Sequence, residues 1–169
     1  MLSGVIEFKA KESACMRPIP KASLLALAVA LIASAAIAAS AEGIAAYQKR
    51  DDTMKQIGRN FYVGIGRVIQ GRNPYGPQTV ESAETVTKLL ATLPTLFTPG
   101  SDVDGSRMDP AIVTNAQDRE TLVAQIQQAA TALVPAVQSG DKTQMANAYK
   151  AVNDACDACH KKYRYEKKE

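Results

Sequence analysis

From residue 44 onward, apolar positions recur at helical spacing. Ile44, Tyr47, Met54, Ile57, Phe61, Ile65 and Val68 mark one face of a long first helix that should end near Gly71. Arg72-Asn73-Pro74-Tyr75-Gly76-Pro77 is a turn cluster. Thr79 is expected to cap a second helix with Glu81 in its first turn, and Val80, Ala83, Val86, Leu90 and Leu93 form its inward face. Pro94 and the stretch 97–108 end it in a loop of about a dozen residues, long enough to expect a packing or functional role. Asp109-Pro110 reads as an N-cap acid followed by proline, opening a third helix that buries Ile112, Ala116, Leu122, Val123, Ile126, Ala130, Leu133 and Val137, with a kink at Pro135. Gly140 closes it, and Asp141 with Gln144 opens a fourth, whose inner side carries Met145, Ala148, Tyr149, Val152, Cys156, Cys159 and Tyr163. No strand pattern interrupts the series, so the prediction is all-α: an antiparallel up-down-up-down four-helix bundle. Gly58, Gly64 and Gly66 sit inside the first helix at ~1 kcal/mol each against alanine. Either something packs close against the backbone there, or the glycines are merely tolerated.

The 169 residues suit one domain once the opening is set aside. Residues 24–39 are an apolar run behind Arg17 and Lys21, followed by small residues that offer Ala-x-Ala exits at 36–38 and 39–41. Residues 1–38 are therefore expected to be a signal peptide, cleaved near 38–41, with the four-helix domain at 42–169. The ~16 apolar residues are fewer than the ~20 a spanning helix needs, so no membrane association is expected after cleavage. Met16-Arg17-Pro18 reads as a natural start, which would leave residues 1–15, and Cys15 with them, uninformative. Cutting after Ala38 reduces 20 basic and 17 acidic residues to 16 and 15, a net charge of +1. That balance, with no basic stripe interleaved with aromatics, gives no reason to expect nucleic acid as a partner. Asp102-x-Asp104-Gly105 begins like a calcium loop, but its twelfth position is Val113 rather than glutamate.

The candidate chemistry lies near the C-terminus, in Cys156-Asp157-Ala158-Cys159-His160. Two thiols three apart followed by an imidazole form the attachment pattern of c-type haem. On a helix of about 3.6 residues per turn these positions share one face. Both thiols can then meet the vinyl groups of one porphyrin, with His160 beneath the iron as proximal ligand. A structural zinc site needs four ligands, and His160 is the chain's only histidine. A thioredoxin-type pair would open a helix inside an α/β unit. The expected cofactor is one covalent haem c per chain.

Four pieces resemble the class II cytochromes c, the cytochrome c′ family. They are Arg50-x-x-x-Met54, Gly71-x-x-Pro74-Tyr75, Leu93-Pro94-x-x-x-Phe97 and Cys156-x-x-Cys159-His160-x-x-Tyr163-Arg164. The similarity runs from about Tyr47 to Arg164. By this resemblance Cys156 and Cys159 are the thioether attachments and His160 the fifth ligand. Arg164 lies near the proximal side, Arg50 near a haem propionate, and position 54 faces the distal side of the iron. Val113 departs from the family, whose members often carry tryptophan there. The resemblance also allows a homodimer through the first two helices.

The distal side separates the functional readings. A bis-histidine haem is excluded, and a peroxidase-like mechanism lacks its distal imidazole base, so no catalytic residue is expected. Met145 lies on the haem-bearing helix, ~22 Å before His160 at 1.5 Å per residue. Met108 sits in the long loop. Met54 shares a helix face with Arg50, Ile57 and Phe61, which presents its thioether to the interior; the bland alternative is a core-filling methionine. The expected protein is a periplasmic mono-haem electron carrier serving redox partner proteins, with His160 and Met54 as axial ligands and Arg50, Arg164 and Phe61 around the haem. The alternatives are a five-coordinate cytochrome c′ that binds nitric oxide or carbon monoxide, and a structural four-helix protein without haem.

Overall fold

The computed structural model describes residues 41–166. The expected signal peptide at 1–38, its cleavage site and Cys15 lie outside the described residues. Among those described there is no strand, and no helix is long and apolar enough to cross a membrane.

Four helices pack as an up-down-up-down bundle. The first, α1, is continuous from 41 to 69, but its middle, Arg59–Gly66, is π-helical. The inner face follows the α-period except at its start: Phe61, Ile65 and Val68 are buried as predicted, joined by Gly43, Arg50, Thr53 and Gly66, whereas Ile44 is exposed. Met54 and Ile57 are half-buried. Two of the three glycines have a packing reason. A Cβ at Gly64 would lie 2.3 Å from Ser82 Oγ, and one at Gly66 would lie 2.9 Å from the Tyr149 hydroxyl, whereas Gly58 has nothing within 4 Å. Gly71, at φ 72°, takes the left-handed backbone that ends the helix, as expected.

Helix α2 spans Pro77–Ala91. Its cap is Gly76 rather than Thr79: Pro77 occupies the first helical position, and Thr79 lies buried in the first turn, its Oγ1 accepting from Gly76 N at 3.3 Å. Ala83, Val86 and Leu90 are buried as predicted, and Leu93 continues that face into the turn Leu93–Thr95. Asp109-Pro110 starts only the short turn Ala111–Thr114, where Asp109 Oδ1 accepts from Ala111 N at 2.8 Å. The backbone breaks at Asn115 (ψ 60°), and α3 proper begins beyond it, so Ala116 is exposed rather than buried. Helix α3 has two segments, Ala116–Ala130 and Leu133–Gln138. The interruption precedes Pro135 by one turn, because the missing N–H and the pyrrolidine ring act on the carbonyl four residues back, that of Thr131. Val123, Ile126, Ala130, Leu133 and Val137 are buried.

Helix α4 spans Lys142–Tyr163 and opens as the sequence predicts, with Asp141 Oδ1 accepting from Gln144 N at 2.8 Å. Met145, Ala148, Val152, Cys159 and Tyr163 face the core. Beyond it the chain turns back against the long loop. Met108 and Arg164 form an isolated antiparallel bridge, with Asp109 N donating to Tyr163 O and Tyr165 N to Arg107 O.

Candidate haem site

One end of the bundle encloses a cavity of about 490 Å³, within the ~300–1,000 Å³ usual for ligand sites. Every helix contributes to its walls, with Met54, Ile57 and Phe61 from α1, Leu90 from α2, Ile126 from α3 and Val152 from α4. Its α4 wall carries Cys156, Cys159 and His160 together, so the helix places the motif's three side chains on one cavity.

The surroundings hold these groups neutral. Burial, and after it Cys159 and Asp157, pushes the Cys156 thiol up to about 11. Burial and then Asp118 raise Cys159 as well. Burial, then Arg164 and Arg107, holds His160 below the usual imidazole range against the opposing pull of Asp157. A neutral imidazole keeps a lone pair for a metal, and protonated thiols are the species that add across a vinyl group. One imidazole and two thiols on a single apolar wall match haem c. Among the described residues no three His, Cys, Asp or Glu side chains stand close enough to hold a metal ion by themselves.

Other predicted site residues reach the same cavity by different means. Phe61 is 2% exposed and stacks on Tyr149 (centroids 4.1 Å, 7° between planes), with Tyr62 edge-on at 5.3 Å. Arg164 lines the rim through an exposed side chain. Arg50 also lines the cavity, but its guanidinium turns to the long loop, donating to Leu96 O (3.2 Å), Ser101 Oγ (2.7 Å), Ser101 O (2.7 Å) and Ser106 Oγ (3.0 Å). All four N–H groups on its terminal nitrogens are engaged, which leaves Nε–H for anything in the cavity. Met108, a methionine of the long loop, is buried and lines the cavity because its bridge to Arg164 folds the loop inward. Tyr163 lines the wall beyond His160, donating to Asp118 Oδ2 and accepting from Asn115 Nδ2 at 3.4 Å. Neither Tyr163 as a hydrogen-bonded wall nor the Arg50 loop contacts were found from sequence. The Tyr163 position within the haem motif was the available signal for the first, and local spacing held none for the second.

Comparison with known proteins agrees with this geometry. Residues 45–164 match the sequence model of the family described as Cytochrome C'. A cytochrome c-556 of Agrobacterium tumefaciens is 32% identical over 121 residues, covering 71% of this chain and 97% of that protein. A cytochrome c′ of Pararhodospirillum photometricum is 26% identical, covering 75% and 99%. Among solved structures, cytochrome c′ from Rubrivivax gelatinosus is 25% identical with a TM-score of 0.66, covering 72% of this chain and 96% of that one. A ferrous variant of cytochrome c′ from Alcaligenes xylosoxidans with bound NO is 25% identical with a TM-score of 0.65, covering 72% and 94%. Members of this family carry covalent haem c, and so does this protein: a four-helix chain whose last helix presents two thiols and an imidazole to one apolar cavity belongs to the cytochrome c′ family.

Proposed function

We propose that this protein is a periplasmic one-electron carrier whose haem is attached through Cys156 and Cys159 and ligated by His160 and Met54. One observation carries the reading: Met54, half-buried on α1, lines the same cavity as His160. Haem bound there supplies a reversible one-electron couple between ferric and ferrous iron. His160, kept neutral by burial and by two arginines, offers its ring nitrogen at neutral pH. The Met54 thioether is a soft ligand that favours the ferrous form and raises the potential. Phe61, stiffened by its stack on Tyr149, and the aliphatic wall exclude water; Arg50 has one N–H left for a propionate, and the Arg164 charge stands on the proximal side. Because the chain's single histidine is assigned to the iron, no imidazole remains as a distal base, and transfer of single electrons to and from redox partner proteins suits the site better than catalysis. The signal-like run at 24–39 supports export.

A second reading has its own support: two similar structures are cytochromes c′ of Alcaligenes xylosoxidans carrying NO and carbon monoxide. An apolar distal wall with Met54 swung aside would admit such gases to a five-coordinate iron. The absorption spectrum of the purified protein decides. Low-spin bands that become high-spin in Met54→Ala establish the carrier. A high-spin ferrous wild type that takes up carbon monoxide establishes the gas-binding form, and an unchanged Met54→Ala spectrum removes Met54 as ligand.

A further inference from the structure

The loop 96–108 is fastened at both ends. On one side three residues of α1, each about a turn from the next, hold it. Gly43 lies so close that a Cβ there would stand 2.2 Å from the Gly100 carbonyl oxygen. Tyr47 donates its hydroxyl to Gly105 O at 3.4 Å, and Arg50 makes its four hydrogen bonds to Leu96, Ser101 and Ser106. On the other side the Met108–Arg164 bridge and its flanking backbone bonds tie the loop to the end of α4. The loop therefore runs along the cavity rim from the helix that carries Met54 to the helix that carries His160, and Ser106, Arg107 and Met108 line the cavity on the way.

Arg50 is the strongest of these fastenings. It is 7% exposed and forms no ion pair among the described residues. A charge removed from water in this way must be solvated by fixed dipoles, and here those dipoles are two carbonyls and two hydroxyls of the loop. Loop and arginine thus hold each other in place. Met54 lies one helical turn beyond Arg50 on the same face of α1.

The geometry points to Arg50 as a positioning residue that straps the 96–108 loop to α1 and thereby sets how closely the distal wall, with Met54, approaches the iron on α4. The inference rests on the reading that Met54 and His160 face the iron. Lysine separates the two things an arginine can do: it keeps the charge but has no planar fork, so it cannot span the Leu96, Ser101 and Ser106 acceptors.

The test uses the processed, haem-loaded protein in three forms: wild type, Arg50→Lys and the double variant Ser101→Ala/Ser106→Ala. Two quantities are read, amide exchange across 96–108 and the carbon monoxide association rate of the ferrous protein together with its spin state. In both variants loop exchange should rise about tenfold or more, as expected when a charge-assisted bond is lost. Carbon monoxide association should rise with it while helix content is retained. Wild-type exchange and association in Arg50→Lys would overturn the proposal by assigning the residue a role through charge alone. A loosened loop with unchanged carbon monoxide kinetics and spin state would overturn it by making the strap merely structural. Should Arg50→Lys fail to mature, the serine pair decides alone. If Met54→Ala leaves the spectrum unchanged while both rates rise in the strap variants, the ligand assignment falls and the strap stands.

Discussion

Gly64→Ala tests whether α1 and α2 are held by close backbone approach. Gly64 lies within the π-helical stretch, and an added Cβ would fall 2.3 Å from Ser82 Oγ and 2.7 Å from Ser82 Cβ. A new rotamer can move the hydroxyl; the Cβ moves only with the α2 backbone. Two effects oppose each other. Replacing a helical glycine gains about 1 kcal/mol, whereas overpacking a fitted contact costs about 1–3 kcal/mol. Because the immovable atom already sits inside contact distance, the upper part of that range applies, and a net loss of about 1–2 kcal/mol is expected. For a domain of this size the melting temperature should fall by about 3–8 °C. The same change in a Ser82→Gly background meets no side chain and should be neutral or stabilising by up to about 1 kcal/mol. Denaturant unfolding of the four haem-loaded proteins, followed by circular dichroism, closes the cycle with a coupling of about 2 kcal/mol. If Gly64→Ala is equally tolerated with serine and with glycine at position 82, the close approach is refuted.

Two pH dependences follow. The Lys162 and Tyr163 side chains, each bonded to Asp118, hold that carboxylate below its ordinary value. A depressed folded-state pKa means the contribution is complete above about pH 4 and is lost as pH falls through the folded value, so the stability gap between wild type and Asp118→Asn should close only on acidification. A gap independent of pH would remove the linkage. Burial, then Tyr62, pushes the Tyr149 phenol up to about 12. An alkaline absorbance titration should therefore show the same number of tyrosines ionising below about pH 11 in wild type and Tyr149→Phe; loss of a step near pH 10 in the variant would contradict the buried stack.

The parts of the fold that were legible from sequence are those decided within one or two turns. The cap at Asp141, the left-handed Gly71 and the inner faces of α2 and α4 all follow from local spacing and backbone preference. The haem motif was legible for the same reason, since a helix alone places Cys156, Cys159 and His160 on one side. The misses came from interactions that cross the chain. Arg50 finds its acceptors 46, 51 and 56 residues away. Met108 becomes a cavity residue only because Arg164 pairs with it. A count of apolar residues assigns Ile44 to the interior, but Gly43 takes that place because the Gly100 carbonyl of the loop packs against it, and Ile44 is exposed. Asp109-Pro110 starts a helix as its local chemistry predicts, but Asn115 ends that helix after one turn.

The half-burial of Met54 and Ile57 has a consequence for stability as well as ligation. In a bundle without a cofactor these side chains would meet others across the core, as Val86, Leu133 and Val137 do. Here they face a volume of about 490 Å³ that protein atoms do not fill. Left uncovered, that apolar wall would face water, so the group that covers it contributes to stability as core side chains do. Haem is thus part of the core of this fold. On the attachment proposed through Cys156 and Cys159, that part of the core would stay with α4 whatever happened at the sixth position, which would free the α1 wall and its loop to set the distal chemistry without endangering the bundle.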